Sequence, residues 1–359
     1  MYKITVIIPT YNVEKYIQTC IDSIINQTIG FENIELIVVD DCSDDNTYSI
    51  LKQYEEKYNN FFLFKTDEKS GMGGKPRNIG IDNAHGQYLM FSDSDDFFAL
   101  DACEKMYNAI ESKNADFIIA NWSYADEDGK AYDTPIFDKD RFKPFKLSIS
   151  DCVDSFYIMN SSMCNKIFSR EFIENNNMRC LEYVPGEDTH FSMCAFLEAK
   201  NVYYIDDVIY YYRQRFNEDC STSYNCSLWY FNGMNVSYKA VYDRFKEKGQ
   251  LNFYRFVYAR NMTYLLYKFI DSTLLTDEQR VEILKDTRWF YKLSLELNVP
   301  ACQKSLCILI EKIVNEKYKE AIDICKIIAE IRTYLPNEVK KKMSKPYEAM
   351  YKKMLGEKF

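Results

Sequence analysis

The residues best suited to chemistry are carboxylates in two short clusters. Asp93, Asp95 and Asp96 close an apolar run, Tyr88-Leu89-Met90-Phe91. Such a run reads as a buried strand. A strand that delivers carboxylates to its C-terminal end places negative charge where an open α/β sheet holds its ligand. Carboxylates that crowded repel one another unless a cation or hydrogen bonds compensate, and a hard divalent ion bridging to substrate phosphates is one compensator. An acidic turn capping the next helix is the other reading of the same residues. The second cluster, Glu187-Asp188, follows Pro185-Gly186 and opens a helical pattern through Phe191, Cys194 and Leu197. Acidic residues also suit a first helical turn for electrostatic reasons alone. Between the clusters lies Ser70-Gly71-Met72-Gly73-Gly74-Lys75-Pro76-Arg77-Asn78. Its glycines permit close backbone approach to a ligand, and Lys75 and Arg77 offer donors to phosphate. The spacing matches neither a P-loop nor a dinucleotide fingerprint, so a flexible loop entering a helix stands beside the phosphate reading.

The elements that position these residues follow from periodicity. Ile4 to Pro9 is a β-branched run stopped by proline, a buried strand. Ile17, Ile21, Ile24 and Ile25 recur at helical spacing within a helix expected over 14–27. Strands are expected at 34–39 and 61–65, with a helix between them capped by Ser43-Asp44-Asp45-Asn46. A helix over 100–113 and a strand over 116–120 follow the aspartate cluster. This alternation predicts a parallel sheet with crossover connections. Residues 122–151, broken by Pro135 and Pro144, read as a loop-rich wall. From Asp151 a helical pattern is expected to reach Met163-Cys164-Asn165-Lys166-Ile167-Phe168. Asp206-Asp207 precedes an expected strand, Val208 to Tyr212, and Arg213 and Arg215 follow it.

Length and composition bound the rest. At roughly 150 residues per domain, 359 residues suggest two domains. The chain is 47% hydrophobic and 28% charged, as in an ordinary globular protein. Its 12 cysteines include no C-x-x-C pair and it has only 2 histidines. That is poor for zinc and fits reduced thiols. His190 is read as structural, and His85, in the turn before a strand, has no evident partner in the sequence. Met1-Tyr2-Lys3-Ile4 enters a strand directly, so no leader is expected. No apolar run approaches the roughly 18 residues of a membrane span. The net charge of −9 is uneven: residues 226–359 hold 24 Lys and Arg against 16 Asp and Glu, and residues 1–225 hold 21 against 38. An acidic half argues against nucleic acid as its ligand.

Four stretches together carry a resemblance: Val6-Ile7-Ile8-Pro9-Thr10-Tyr11-Asn12, Val38-Val39-Asp40-Asp41-Cys42-Ser43-Asp44, Pro76-Arg77-Asn78-Ile79-Gly80 and Phe91-Ser92-Asp93-Ser94-Asp95-Asp96. In this order the sequence resembles family 2 glycosyltransferases of the GT-A fold over about its first 225 residues. The resemblance implies a Rossmann-like α/β fold, a mostly parallel sheet flanked by helices, followed here by an all-helical C-terminal region. It implies a catalytic domain over 1–225, with a nucleotide-sugar half to 120 and an acceptor half from 121, and a basic helical domain over 226–359. Pro9, Thr10 and Tyr11 would line the nucleoside pocket, and Asp41 would hydrogen-bond the base, usually uracil. Lys75, Arg77 and Ser94 would belong to the donor site, with Arg213 or Arg215 neutralising phosphate. Asp93 and Asp95 would form the D-x-D motif that supports Mn²⁺ or Mg²⁺. Asp188 would be the base, with Glu187 the alternative. Relatives often carry a third metal ligand, sometimes histidine, in the loop that here holds Asn217 and Ser221-Thr222-Ser223, where no histidine occurs.

The expected activity is inverting, metal-dependent transfer of a hexose from a nucleoside diphosphate, most often a UDP-sugar, to a hydroxyl of a glycan or wall polymer. The Gly71–Arg77 stretch and the basic tail are similar to bacterial enzymes that decorate wall polymers such as teichoic acids. A non-catalytic sugar-binding scaffold and a nucleotidyltransferase are the other readings. The latter class expects a Gly-rich basic loop after the first strand, where this chain has Pro9-Thr10-Tyr11-Asn12.

From about Ser227 the pattern is helical, broken by Pro300, Pro336 and Pro346. Tyr254, Val257, Tyr258, Asn261, Leu265, Tyr267 and Lys268 mark one helix. Ile308, Ile310, Ile313, Ile322, Ile324, Ile327, Ile328 and Ile331 predict a packed helix pair, a candidate surface for homo-oligomerisation. Lys340-Lys341-Lys342, Lys345 and Lys352-Lys353 form a basic run that reads as a solvated face. It also suits docking to an anionic membrane surface or a polyanionic acceptor. The expected location is therefore cytoplasmic, with peripheral contact at the inner face of the membrane.

Overall fold

The structure, a computed structural model, describes residues 1–132, 134–140, 142–147, 153–215, 226–299 and 304–333. They fall into two compact units, one within 1–148 and 158–220, the other within 149–157 and 221–359.

The first unit is built on β-branched runs in its first two strands and on aromatic and unbranched apolar residues in the next two. Strands β1 (Ile4–Thr10), β2 (Ile34–Asp40), β3 (Phe61–Lys65) and β4 (Tyr88–Phe91) pair in parallel in the order β3-β2-β1-β4. Register sets Ile4 beside Ile34 and Tyr88, and Thr10 beside Asp40. The C-terminal ends of β1, β2 and β4 therefore finish at one edge. Helices α1 (Ile17–Ile25), α2 (Thr47–Lys57), α3 (Gly74–Asp82) and α4 (Ala102–Lys113) are the crossover and flanking elements. Ile17, Ile21 and Ile24 of α1 and Met106 and Ile110 of α4 pack in one core with Ile4, Val6, Ile8, Leu36 and Val38. The opposite sheet face carries Ile7, which approaches Gly80 of α3 so closely that a Cβ there would lie 2.3 Å from Ile7 Cγ2.

The remaining strands are β5 (Phe97–Phe98), β6 (Phe117–Ala125), β7 (Phe145–Lys146), β8 (Lys166–Ser169) and β9 (Val202–Arg213), and the nine-stranded sheet continues β4-β8-β6-β9-β5 with β7 beside β9. Antiparallel β8 separates β4 from β6. The fold class is the expected α/β, but the sheet is mixed, with its parallel order confined to the N-terminal strands and the β6·β9 pair. Lys166-Ile167-Phe168, expected to be helical, is this inserted strand; the helix before it, α5, spans only Val153–Ile158. A run this short has the same apolar content in either state, and strand partners decided it. β9 begins earlier than expected, so Asp206-Asp207 lies inside it, at an irregularity where Ala120 faces Ile205 but Asn121 faces Val208. Such a bulge re-aims the strand, here toward the aspartate cluster.

After the short α6 (Arg170–Asn175), helix α7 (Glu187–Glu198) is fixed to the sheet by aromatic rings. Phe191 meets Phe91 at 5.8 Å and Phe168 at 5.6 Å, and Phe196 meets Phe117 at 5.1 Å, all edge to face. Each buried phenyl contributes about 1.5–3 kcal/mol.

The second unit is helical where described: α8 (Leu228–Glu247), α9 (Leu251–Asp271), α10 (Asp277–Asp286), α11 (Arg288–Glu296), α12 (Lys304–Val314) and α13 (Tyr318–Thr333). Helix α10 starts on a capping box between Thr276 and Gln279. Tyr254, Val257, Tyr258, Asn261, Leu265 and Tyr267 of α9 are all buried. The expected isoleucine pair exists as α12 and α13, with Leu309, Ile310, Ile313, Ile322 and Ile328 inside. Ile308, Ile327 and Ile331 face outward. No described helix is long and apolar enough to cross a membrane. Asn217, Ser221-Thr222-Ser223, Pro300 and the basic run from Lys340 to Lys353, with Pro336 and Pro346, lie outside the described residues.

Candidate functional site

The carboxyl-terminal edge of the parallel strands gathers the acidic residues, and each has a different environment. Asp96 is buried; its Oδ2 accepts from Tyr210 Oη at 2.7 Å and its Oδ1 from Arg213 N at 2.8 Å. Burial, then Asp95 and Asp93, push its carboxyl well above the ordinary range. Asp96 is thus the structural member of the cluster, joining the turn to β9. Asp95 pairs with Arg215 at 2.9 Å through Oδ2. Burial raises its pKa, Arg215 pulls it back, and Asp93 raises it again. Asp93 pairs with Arg77 at 2.5 Å through Oδ1 and remains partly exposed. Its backbone N–H donates to Tyr210 Oη at 3.0 Å. Ser94 is buried in the turn between them.

Arg77 is the hub. Its guanidinium is buried and bridges Asp93 through Nη2 and Glu187 Oε1 through Nη1, the latter at 2.9 Å. Burial alone would lower its pKa; the Asp93 and Glu187 carboxylates more than offset that and raise it. Arg77 stands on the second turn of α3, not in a loop, because the helix begins at Gly74. The two acidic clusters, separated by some ninety residues of chain, are therefore held by one side chain.

Gly186, at φ 83°, turns the chain into α7 and sets Glu187 and Asp188 in its first turn. A left-handed backbone there favours glycine. Glu187 is buried and its pKa is pushed up to about 7: burial raises it most, Arg77 lowers it, and Asp188 raises it. Asp188 is also raised, by burial first, with Arg77 and the Thr189 N–H acting against this. Its Oδ1 accepts from Thr189 N at 2.6 Å. Its Oδ2 accepts no hydrogen bond among the described residues, and the side chain is partly exposed. Farther along α7, Ser192 Oγ donates to Ser161 O at 2.7 Å. Buried Lys166 donates to Ser162 O and to Asn160 Oδ1, the latter at 2.8 Å, and so braces the same 160–162 segment. His190 sits beside Cys194, its Nε2 3.7 Å from the sulfur.

Pro9, Thr10 and Tyr11, expected to line a nucleoside pocket, stand at the end of β1, and Asp41 follows the end of β2. Thr10 is buried and its carbonyl accepts from Asp41 N at 2.8 Å, with Pro9 before it and Tyr11 after it partly exposed. The Asp41 carboxylate is occupied by the following loop: it accepts from Thr66 Oγ1, Ser70 N, Ser70 Oγ and Gly71 N at 2.9–3.0 Å. Lys69 from that loop lies 3.8 Å over the Tyr11 ring and donates to its hydroxyl.

Two expected phosphate donors are engaged elsewhere. Lys75 donates to Tyr183 Oη at 3.0 Å and sits 3.9 Å from Glu68. Arg213 is buried, donating from Nε to Asp95 O and from Nη1 to Glu127 O, with its guanidinium over the Tyr16 and Phe97 rings. Arg215, paired with Asp95 and partly exposed, remains near enough to the aspartates to meet an anion there. Sequence reasoning missed Tyr210 and Asn78. A tyrosine among Tyr210-Tyr211-Tyr212 carries no signal of its own, and only the bulge in β9 decides which one turns inward.

Among the described residues no group of three or more His, Cys, Asp or Glu side chains is arranged to hold a metal. Asp93 and Asp95 each commit one oxygen to an arginine and leave the other without a partner among the described residues. A pair of that kind fits an ion that takes one or two carboxylates and completes its shell with phosphate oxygens and water.

A family model described as "Glycosyl transferase family 2" matches residues 5–174. The poly(ribitol-phosphate) beta-glucosyltransferase of Bacillus spizizenii is 30% identical over 295 residues, which is 81% of this chain and 44% of that one. The poly(ribitol-phosphate) beta-N-acetylglucosaminyltransferase TarP of Staphylococcus aureus is 31% identical over 249 residues, 67% of this chain and 73% of that one. The chain thus spans less than half the length of the first of these relatives. Among solved structures, residues 1–349 of S. aureus TarS in complex with UDP-GlcNAc match with a TM-score of 0.71 at 21% identity, over 91% of this chain and 92% of that one. A likeness at that identity speaks to the fold, which is the one the resemblance implied.

Proposed function

The chain belongs to glycosyltransferase family 2, and on that premise we propose that it moves a sugar from a UDP-sugar to a hydroxyl of a polyol-phosphate wall polymer, with inversion at the anomeric carbon. The observation that carries the mechanism is Arg77, whose guanidinium joins Asp93 to Glu187 and so fixes the donor side and the base side to one buried group. Relatives named for action on poly(ribitol phosphate) support the acceptor class, and the UDP-GlcNAc in the TarS structure supports the donor class.

In this reading Pro9, Thr10 and Tyr11 line the nucleoside pocket, and Asp41 holds its outer loop. Asp93 and Asp95 would hold Mn²⁺ or Mg²⁺, which supplies positive charge to the departing diphosphate. Arg215 adds charge at the same place, and Arg213 and Asp96 hold the aspartates in line. Asp188 takes the proton of the attacking hydroxyl through its uncommitted oxygen as the hydroxyl approaches from the face opposite the diphosphate. Glu187, tied to Arg77, is the positioning member of the pair. A single base suffices where an acid is not needed for departure; a glycoside hydrolase would need two placed carboxyls. A base within reach of its proton contributes about 10²–10⁴ in rate.

The test is release of UDP from a panel of UDP-sugars, with and without Mn²⁺ and a ribitol-phosphate polymer. Polymer-stimulated, Mn²⁺-dependent release from one donor is the expected result. No thermal shift with any UDP-sugar plus Mn²⁺, and no release, would favour a scaffold role instead.

A further inference from the structure

One stripe of α3, made of Gly74, Lys75, Asn78 and Asp82, faces residues 179–183. A Cβ on Gly74 would lie 1.9 Å from the Leu181 carbonyl oxygen, so only glycine allows that approach. Asp82 accepts from Arg179 Nε and Nη2 at 3.0 and 2.7 Å, and Lys75 donates to Tyr183 Oη at 3.0 Å. These outer contacts involve exposed side chains, where charged pairs are weak. Between them sits buried Asn78. Its Oδ1 accepts from Cys180 N at 2.8 Å, while its Nδ2 donates to Cys180 O at 3.0 Å and to Glu182 Oε1 at 2.8 Å.

A carboxamide that satisfies both backbone groups of one residue acts as a strand neighbour would, fixing that residue along the helix as well as against it. Three residues beyond Tyr183 the chain turns at Gly186 into Glu187 and Asp188. One residue before Asn78, Arg77 reaches Asp93 and Glu187. Helix α3 therefore holds the donor aspartate with one side chain and the approach to the base with the next.

We propose that Asn78 is a positioning residue for transfer: through Cys180 and Glu182 it sets where the Glu187-Asp188 turn stands relative to Asp93. The inference rests on the assignment of Asp188 as base. Misplacing a reacting group by about 1 Å can cost about 10²-fold in rate, and Asn78 lies outside the nucleoside wall, so donor binding should be spared.

The experiment compares Asn78→Asp, Asn78→Ser, Asp188→Asn and the double variant Asn78→Asp with Glu182→Gln, each in the full chain. The readouts are kcat for UDP release with a ribitol-phosphate polymer and UDP affinity by calorimetry with Mn²⁺. Both Asn78 variants should lose about 10–100-fold in kcat with UDP affinity within about twofold of the parent. In the double variant the glutamine amide can donate to the new carboxylate, and part of kcat should return. Parental kcat in both Asn78 variants, beside an inactive Asp188→Asn, overturns this proposal alone. So does a parallel fall of kcat and UDP affinity with no recovery in the double variant, the signature of general damage. Near-normal turnover by Asp188→Asn instead overturns the base assignment beneath it.

Discussion

Replacing Glu187 by glutamine should change the pH dependence of stability in a defined direction. Glu187 is buried against Arg77 and Asp188, and its carboxyl pKa rises from 4.5 to about 7 on folding. Below pH 4.5 both the folded and unfolded chains hold this proton, and the group contributes no difference. Between 4.5 and about 7 the unfolded chain releases the proton first, so ionisation favours unfolding and stability falls as pH rises. At about 1.4 kcal/mol per pH unit the accumulated loss is about 3 kcal/mol, complete above pH 7. Glu187→Gln keeps the size and an acceptor for Arg77 Nη1 but cannot ionise. Its stability relative to the parent should therefore increase by about 3 kcal/mol between pH 4.5 and 7.5. At low pH the parent's Glu187 is neutral as well, so the absolute difference there reflects only the exchange of a carboxylic acid for an amide; the slope is the prediction. Urea unfolding followed by tryptophan fluorescence at half-unit pH steps measures it for both proteins. Curves that stay parallel across that window would show that the carboxyl is not held protonated by burial, and the environment argued for Glu187 would be wrong.

Asp188→Asn should reduce transfer by about 10²–10⁴-fold while UDP binding by calorimetry is kept; near-normal turnover would refute the base assignment. Asp95→Ala should remove the Mn²⁺ dependence of UDP binding, visible as a loss of the Mn²⁺-induced thermal shift, because it deletes one of the two carboxylates with an oxygen to offer. Arg77→Met leaves Glu187 and Asp93 facing each other without their shared cation, and should destabilise the chain by about 3 kcal/mol at pH 8, less below about pH 7, where the folded chain holds the Glu187 proton. Phe191→Ala opens a cavity between Phe91 and Phe168 and should cost about 3–5 kcal/mol in urea unfolding.

The sequence alone determined what depends on neighbours along the chain. β-branched runs at Ile4–Pro9 and Ile34–Val39 and the apolar run Tyr88–Phe91 carried their own strand signal, and the alternation with helices made their parallel pairing predictable, since crossovers return a chain in the same direction. That pairing places Thr10, Asp41 and Asp93 at one edge, and the order of the motifs carried the family. Tertiary structure decided whatever depends on which side chain finds which partner. Lys166-Ile167-Phe168 became a strand because β4 and β6 each offered it an edge. Lys75 and Arg77, two residues apart on one helix, were separated in role by helical geometry, which sends Arg77 inward to Asp93 and Glu187 and Lys75 outward to Tyr183. Arg213 and Arg215 look alike in sequence, yet Arg213 is the last residue of β9 and is buried, whereas Arg215 lies beyond the strand and stays partly exposed beside Asp95. Periodicity reports local geometry, whereas a buried ion pair between residues 77 and 187 depends on how two distant segments pack, and no local pattern encodes that.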